Sequence, residues 1–242
     1  MRILIIRHGD PDYERDSLTE KGWRESELLS QRLVKMDIKD FYVSPLGRAK
    51  DTASLTLQKM NRTAAECPWL REFAPQIKRP DRNGRDTIVW DWLPADWMKE
   101  EDFFRRELWC TKEVMVAGKV NEEYQWVIRS FDEVLAEHGY VREHDTYRVE
   151  QPNRDTLAFF CHFGLASVLL SHLLDVSPML LWHHICLAPT SVTTLYTEER
   201  RKGIAVFRAS GIGDTSHLYA GGEAPSFSGR FCEVFDSDER HD

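Results

Sequence analysis

Apolar residues in this chain come in two rhythms, and their alternation predicts the fold. Ile3, Leu4, Ile5 and Ile6 form an unbroken apolar run that ends on Arg7 and His8, after which Gly9 and Pro11 turn the chain. Short β-branched runs bounded by turn residues suit strands buried on both faces, so residues 2–6 are predicted as a strand. "SLTEKG" then opens a helix, with Ser17 or Thr19 as N-cap and Leu29, Leu33 and Met36 as its core stripe. "DFYV", residues 40–43, predicts a second strand. "SPLGRAKDTASLTLQKM" turns at Ser44–Pro45 into a helix with Ala49, Ala53, Leu57 and Met60 on one face. Strand, loop and helix twice over predict an α/β fold.

Residues 64–72 read as a weak strand or loop. From Phe73 to about residue 119 the periodicity fails, in a stretch that holds Pro75, Pro80, Pro94, Asn83–Gly84, Trp90, Trp92, Trp97 and Trp109. A structureless loop of that length is unusual, so it is expected to pack as an inserted cap with one or two helices near residues 95–116. Residues 121–138 predict an amphipathic helix, with Val127, Phe131, Val134 and Leu135 inward and Gly139 at its end. "TLAFFCHFG", residues 156–164, repeats the opening pattern of an apolar strand running into a histidine. A helix through Leu174, a short helix from Pro178 and two strands in an antiparallel pair, "TSVTTLYTEE" and "GIAVFRAS", follow. From about residue 221 the chain is small, polar and acidic, and is expected to be loosely held. The expectation is one domain over residues 1–242, a three-layer α/β/α sandwich with a mostly parallel central sheet and the cap at about 73–119.

The formal net charge of -8 argues against general binding of nucleic acid or anionic membrane. An anion site in such a chain has to be a local island of positive charge. No apolar run reaches the length of a membrane span, and the start lacks the pattern of a signal peptide, so a cytoplasmic protein is expected. The five cysteines are scattered with no CxxC pair, which reads as reduced and mostly buried thiols. No metal is expected, since His183 and His184 are adjacent and would point to different faces of a helix.

In open α/β sheets ligands bind beyond the carboxyl ends of the strands. Arg7–His8, the stretch Ser44 to Arg48, and His162 all sit at such ends, and Glu72 follows the weak third segment. Two guanidiniums can grip a phosphate through paired N–H donors, a histidine can attack phosphorus, and a carboxylate can supply the leaving group's proton. His138, His144, His172, His183, His184 and His241 are read as ordinary core or surface residues. Lys78, Arg79, Arg82 and Arg85, just beyond Glu72, are candidates to contact a second anionic group on the substrate, with a solvated loop as the commoner meaning of such a run. No cysteine has an arginine six positions later, and neither a GxSxG elbow nor a P-loop is present.

"RHG", "LTEKG", "SPLGRAKDTA", "LRE" and "CHFG", in that order, resemble the histidine phosphatase superfamily, its phosphoglycerate mutase-like branch of the bacterial phosphatase type. The resemblance implies that His8 accepts the phosphoryl group, that Arg7 and Arg48 hold the phosphate, that His162 hydrogen-bonds a phosphate oxygen, and that Glu72 donates the proton. It implies a site without metal or other cofactor and a small phosphorylated substrate. "GDTSHL" resembles a late segment of the same branch and puts His217 near the site or in support of it. Phe163 departs from the glycine usual after the second histidine. Asp10, Pro11, Asp12 and Tyr13 stand where the mutases carry asparagines, which favours hydrolysis. The implied activity is a metal-independent phosphatase working through a phosphohistidine. A phosphomutase, and an idle member that only binds phosphorylated ligands, stay open as alternatives. The sequence leaves the oligomeric state open, with exposed tryptophans in the insertion as a candidate interface.

Overall fold

Ile3 and Ile5 point to one side of β1 (Arg2–Arg7) and Leu4 and Ile6 to the other, and all four are buried. A strand apolar on both faces needs cover on both, and the chain supplies two layers of helices. The computed structural model describes residues 1–241. After β1 come a small hairpin, β2 (Pro11–Asp12) and β3 (Ser17–Leu18), then α1 (Glu20–Leu33), β4 (Asp40–Val43), α2 (Gly47–Met60) and β5 (Ala65–Glu66). The insertion contributes a second hairpin, β6 (Gln76–Lys78) and β7 (Asp86–Ile88), and two short helices, α3 (Pro94–Trp97) and α4 (Glu113–Ala117). Then follow α5 (Val120–Glu137), β8 (Tyr140–Glu143), β9 (Thr146–Val149), β10 (Thr156–Cys161), α6 (Phe163–Leu174), α7 (Pro178–His184), β11 (Val192–Arg201), β12 (Ile204–Asp214) and α8 (Ser216–Ala220).

The central sheet has eight strands in the order β5-β4-β10-β1-β11-β12-β9-β8. The run from β5 to β1 is parallel throughout, and β11 onward continues the sheet in antiparallel pairs. The fold is the expected α/β class, with the parallel strands gathered where their carboxyl ends meet. Leu4 and Ile6 pack with Leu29 and Leu33 of α1 and Ala49 and Ala53 of α2. Ile3 and Ile5 belong to the larger core on the opposite face, with Val127 and Phe131 of α5, Leu165 and Leu169 of α6, and the insertion. Thr19 caps α1, its side chain accepting from the Gly22 N–H at 3.0 Å. β11 and β12 form the antiparallel pair that their sequences suggest.

Three features differ from expectation. The hairpins β2–β3, β6–β7 and β8–β9 carry too few residues per strand for a period-two pattern to emerge. Trp92, Trp97 and Trp109 of the insertion are buried and Trp90 is half-buried, so these tryptophans form core and wall and are not exposed. Among the cysteines only Cys161 is buried, and Cys186 is exposed. Cys186 lies in the loop beyond α7, where no layer of helix covers it.

Candidate active site

β4, β10 and β1 are neighbours, so Ser44, His162 and Arg7–His8 arrive together at one edge of the sheet. The main chain fixes His8 on both sides: its N–H donates to the Cys161 carbonyl at 3.0 Å, and its carbonyl accepts from Thr190 N–H at 3.1 Å. His217 stands behind this contact, with Nε2 3.1 Å from Thr190 Oγ1 and burial pushing its pKa down to about 4. It therefore supports the strand end and lines no part of the cavity.

His8 Nδ1 lies 2.7 Å from the Gly9 carbonyl oxygen. A carbonyl only accepts, so Nδ1 carries the hydrogen and the neutral ring presents Nε2 as a free lone pair. Burial first, then the positive charges of Arg7 and Arg48, hold the imidazole pKa well below its usual value. The ring is neutral at neutral pH. His162 lies with its ring centroid 5.1 Å from that of His8. Its Nε2 is 2.7 Å from Ser44 Oγ, which also accepts from Leu46 N–H at 3.2 Å. The buried hydroxyl has no other acceptor among the described residues. The network thus assigns its proton to His162 Nε2 and the ring proton to Nδ1, which has no protein partner.

The two arginines are held differently. Arg7, buried, donates through Nη1 to the carbonyls of Leu187 at 2.6 Å and Ser228 at 3.0 Å. Arg48 sits in the first turn of α2 and donates through Nη1 to Asp16 Oδ1 at 2.6 Å. The other Asp16 oxygen accepts the Gly47 N–H at 2.7 Å, so one carboxylate fixes both the helix start and the guanidinium. The Tyr13 ring lies 5.5 Å from the Arg48 guanidinium. Both Nε groups are buried without a protein acceptor, as is His162 Nδ1. Buried donors left unpaired are costly, and a cluster of them beside two cations is suited to an anion.

Glu72 stands at the start of α6. Its Oε1 accepts from Phe73 N–H at 2.8 Å and from Leu165 N–H at 3.0 Å. Burial raises its pKa above the usual carboxyl value, although these N–H donors and Arg7 pull the other way. Gly164 makes the approach possible: a Cβ there would stand 2.5 Å from Trp90 Nε1 and 2.8 Å from Glu72 Oε1.

Arg7, His8, Arg48 and Glu72 all line one cavity of about 1010 Å³. His162, its ring beside that of His8, is wholly buried. Arg82 is also on the wall, and so are His183, His184 and His241, which the sequence treats as ordinary residues. His183 has its Nδ1 bonded to the Met179 carbonyl and its Nε2 accepting from Trp92 N–H, so it is structural. Arg79 reaches the wall but is tied to Asp81 and the Asp91 carbonyl. Lys78 faces a different cavity, and Arg85 lines neither.

Asp16, Trp90 and the chain beyond residue 225 escaped the sequence reading. Buried Glu25 accepts from Asp10 N–H at 3.0 Å and Ser226 N–H at 3.1 Å, tying the late chain to the loop after His8. Burial pushes its pKa up to about 7. Residues from Phe227 to Cys232 then pass along the cavity. Among the described residues no group of three or more His, Cys, Asp or Glu side chains is placed to hold a metal ion.

The model of the histidine phosphatase superfamily (branch 1) matches residues 3–115. That match covers the stretch that carries Arg7, His8, Arg48 and Glu72, so this part of the chain is similar to the histidine phosphatase superfamily. A 2,3-bisphosphoglycerate-dependent phosphoglycerate mutase of Thermoplasma acidophilum is 38% identical over 69 residues, covering 24% of this chain and 34% of the mutase. The adenosylcobalamin/alpha-ribazole phosphatase of Salmonella typhi is 23% identical over 192 residues, 76% of this chain and 84% of that protein. The chain spans about a third of the length of the first curated relatives it matches. Among solved structures, a phosphoserine phosphatase of Entamoeba histolytica superposes with a TM-score of 0.57 at 17% identity, over 90% of this chain and 98% of that one. That likeness establishes a shared fold.

Proposed function

We propose that the protein hydrolyses a phosphate monoester through a phosphohistidine on His8. One observation carries this reading: the Gly9 carbonyl binds Nδ1 of His8, leaving the Nε2 lone pair free beside the unpaired donors of Arg7, Arg48 and His162. In the first step Nε2 attacks phosphorus in line, and the bond from phosphorus to the ester oxygen breaks. Arg7, Arg48 and the Nδ1–H of His162 stabilise the equatorial oxygens. Glu72, its pKa raised by burial, gives its proton to the departing oxygen, so an alcohol leaves. In the second step the Glu72 carboxylate takes a proton from water. The hydroxide attacks phosphorus, the P–N bond breaks, and phosphate leaves with Nε2 unprotonated again.

Relatives of both kinds, a mutase and phosphatases, surround the chain. The Asp10 to Tyr13 stretch supports hydrolysis. The test is phosphate release from 4-nitrophenyl phosphate by wild type and His8→Ala with a chelator present, together with acid-labile, base-stable labelling of wild type. Release and label by wild type alone are expected. Release by His8→Ala at the wild-type rate would refute the phosphohistidine.

A further inference from the structure

Glu72 and Trp90 meet at one point. The place where a Gly164 Cβ would stand is 2.5 Å from Trp90 Nε1 and 2.8 Å from Glu72 Oε1. Trp90 is fixed there, because its Nε1 donates to the carbonyl of Phe73, the residue after Glu72, at 2.6 Å. Phe163, the departure from the family pattern, follows His162 and lies edge-on to Trp90, with ring centroids 5.8 Å apart at 85°. Both rings are half-buried and both line the cavity. Ile88, Leu93 and Phe227 extend the apolar lining. The acid of the reaction therefore stands beside an aromatic wall built from two segments, each pinned by its own backbone contacts.

A general acid must reach the ester oxygen, so the leaving group lies against whatever surrounds that acid. The cavity of about 1010 Å³ is also far larger than a three-carbon ester requires. Such volumes are at the upper end of the roughly 300–1000 Å³ typical of ligand sites. We propose that the leaving alcohol of the natural substrate carries a planar aromatic ring that packs on Trp90 and Phe163. This inference rests on the phosphatase reading, since the role of Glu72 locates the leaving group.

Two matched pairs of phosphates test it, each differing by a ring while the reacting alcohol stays alike: adenosine 5′-monophosphate against ribose 5-phosphate, and 2-phenylethyl phosphate against n-butyl phosphate. The ring-bearing member of at least one pair is expected to show a kcat/KM about tenfold higher or more, the size of one ring stacked on an aromatic side chain. A preference in the first pair alone identifies a nucleoside-like alcohol. A preference in the second alone identifies a ring close to the ester oxygen. Phe163→Leu and Trp90→Leu should each shrink the ratio, chiefly through KM. The same pairs are titrated calorimetrically against His8→Ala, which binds without turnover. If wild type hydrolyses none of the four, the phosphatase reading fails, and the ring preference is still read from these dissociation constants. Ratios near one in both pairs, in turnover or in binding, overturn the proposal, as does the absence of binding by all four.

Discussion

Glu72→Gln separates proton donation from every other role of that side chain. The amide keeps a carbonyl oxygen where Oε1 accepts from Phe73 N–H and Leu165 N–H, so the start of α6 stays satisfied. What is lost is the acidic proton. A positioned general acid contributes roughly 10²–10⁴ in rate, or about 3–5 kcal/mol of barrier. That contribution is needed in full only when the departing oxygen is strongly basic. With n-butyl phosphate, kcat/KM is expected to fall about 10³-fold, and with 4-nitrophenyl phosphate by less than about 10-fold. The ratio kcat/KM is the right readout, because it stops at the first irreversible step, formation of the phosphohistidine. The pH profile gives a second readout with a defined sign. Glu72 must be protonated to act, and burial raises its pKa, so activity on the alkyl ester falls as pH rises through that raised value. Glu72→Gln removes this basic limb. The ester's own second ionisation, at about 6, is common to both proteins and cancels in their ratio. Equal losses on the alkyl and the aryl ester, with the limb retained, would refute the reasoning.

Asp16→Asn removes the carboxylate that orients Arg48 and caps α2. Because Asp16 is open to water, about 1 kcal/mol is expected, read as a severalfold rise in the inhibition constant of inorganic phosphate. Gly164→Ala drives a Cβ into Trp90 and Glu72, which should cost about 1–3 kcal/mol in thermal unfolding and lower alkyl turnover more than aryl turnover. His8 must be unprotonated to attack, and burial with the two arginines lowers its pKa, so activity is lost only as pH falls well below the usual histidine range. A bound phosphate dianion offsets those arginines, so the acid limb of kcat should lie at higher pH than that of kcat/KM, measured on one ester across both parameters.

The convergence of Arg7, His8, His162 and Arg48 was legible because these residues stand at or just beyond strand ends. Arg7 and His8, and likewise His162, each follow an apolar run too regular to misread, and adjacent parallel strands bring their ends together. Arg48 was legible for the same reason, in the first turn of a helix separated by three residues from a strand. Asp16 was not, because its role depends on a left-handed turn with φ 47° that carries no pattern in the sequence. Trp90 and the chain from Phe227 to Cys232 were hidden for another reason. Their hairpin and loops are short and aperiodic, and tertiary contacts alone place them against the cavity. Sequence periodicity thus located the residues proposed to hold the phosphate and left blank the aromatic wall of the cavity.

The opening run of isoleucines into Arg7 and His8 has a physical reason that the two arginines share. Arg7 is fixed by the carbonyls of Leu187 and Ser228, which orient a guanidinium without cancelling its charge. Arg48 is fixed by a carboxylate that is open to water and therefore screened. Both positive charges bear on His8 and on His162, and with burial they keep both rings neutral. Glu72 is held toward its neutral form by burial. In the proposed complex the two guanidiniums set fixed positive charge against the two negative charges of a monoester dianion. Protonating His8 would add attraction for the substrate and remove the lone pair that attacks it. Keeping the charge on arginines, whose protons do not leave near neutrality, gives the attraction without that loss. In the proposed mechanism, the same fields that would draw in a phosphate keep Nε2 of His8 unprotonated.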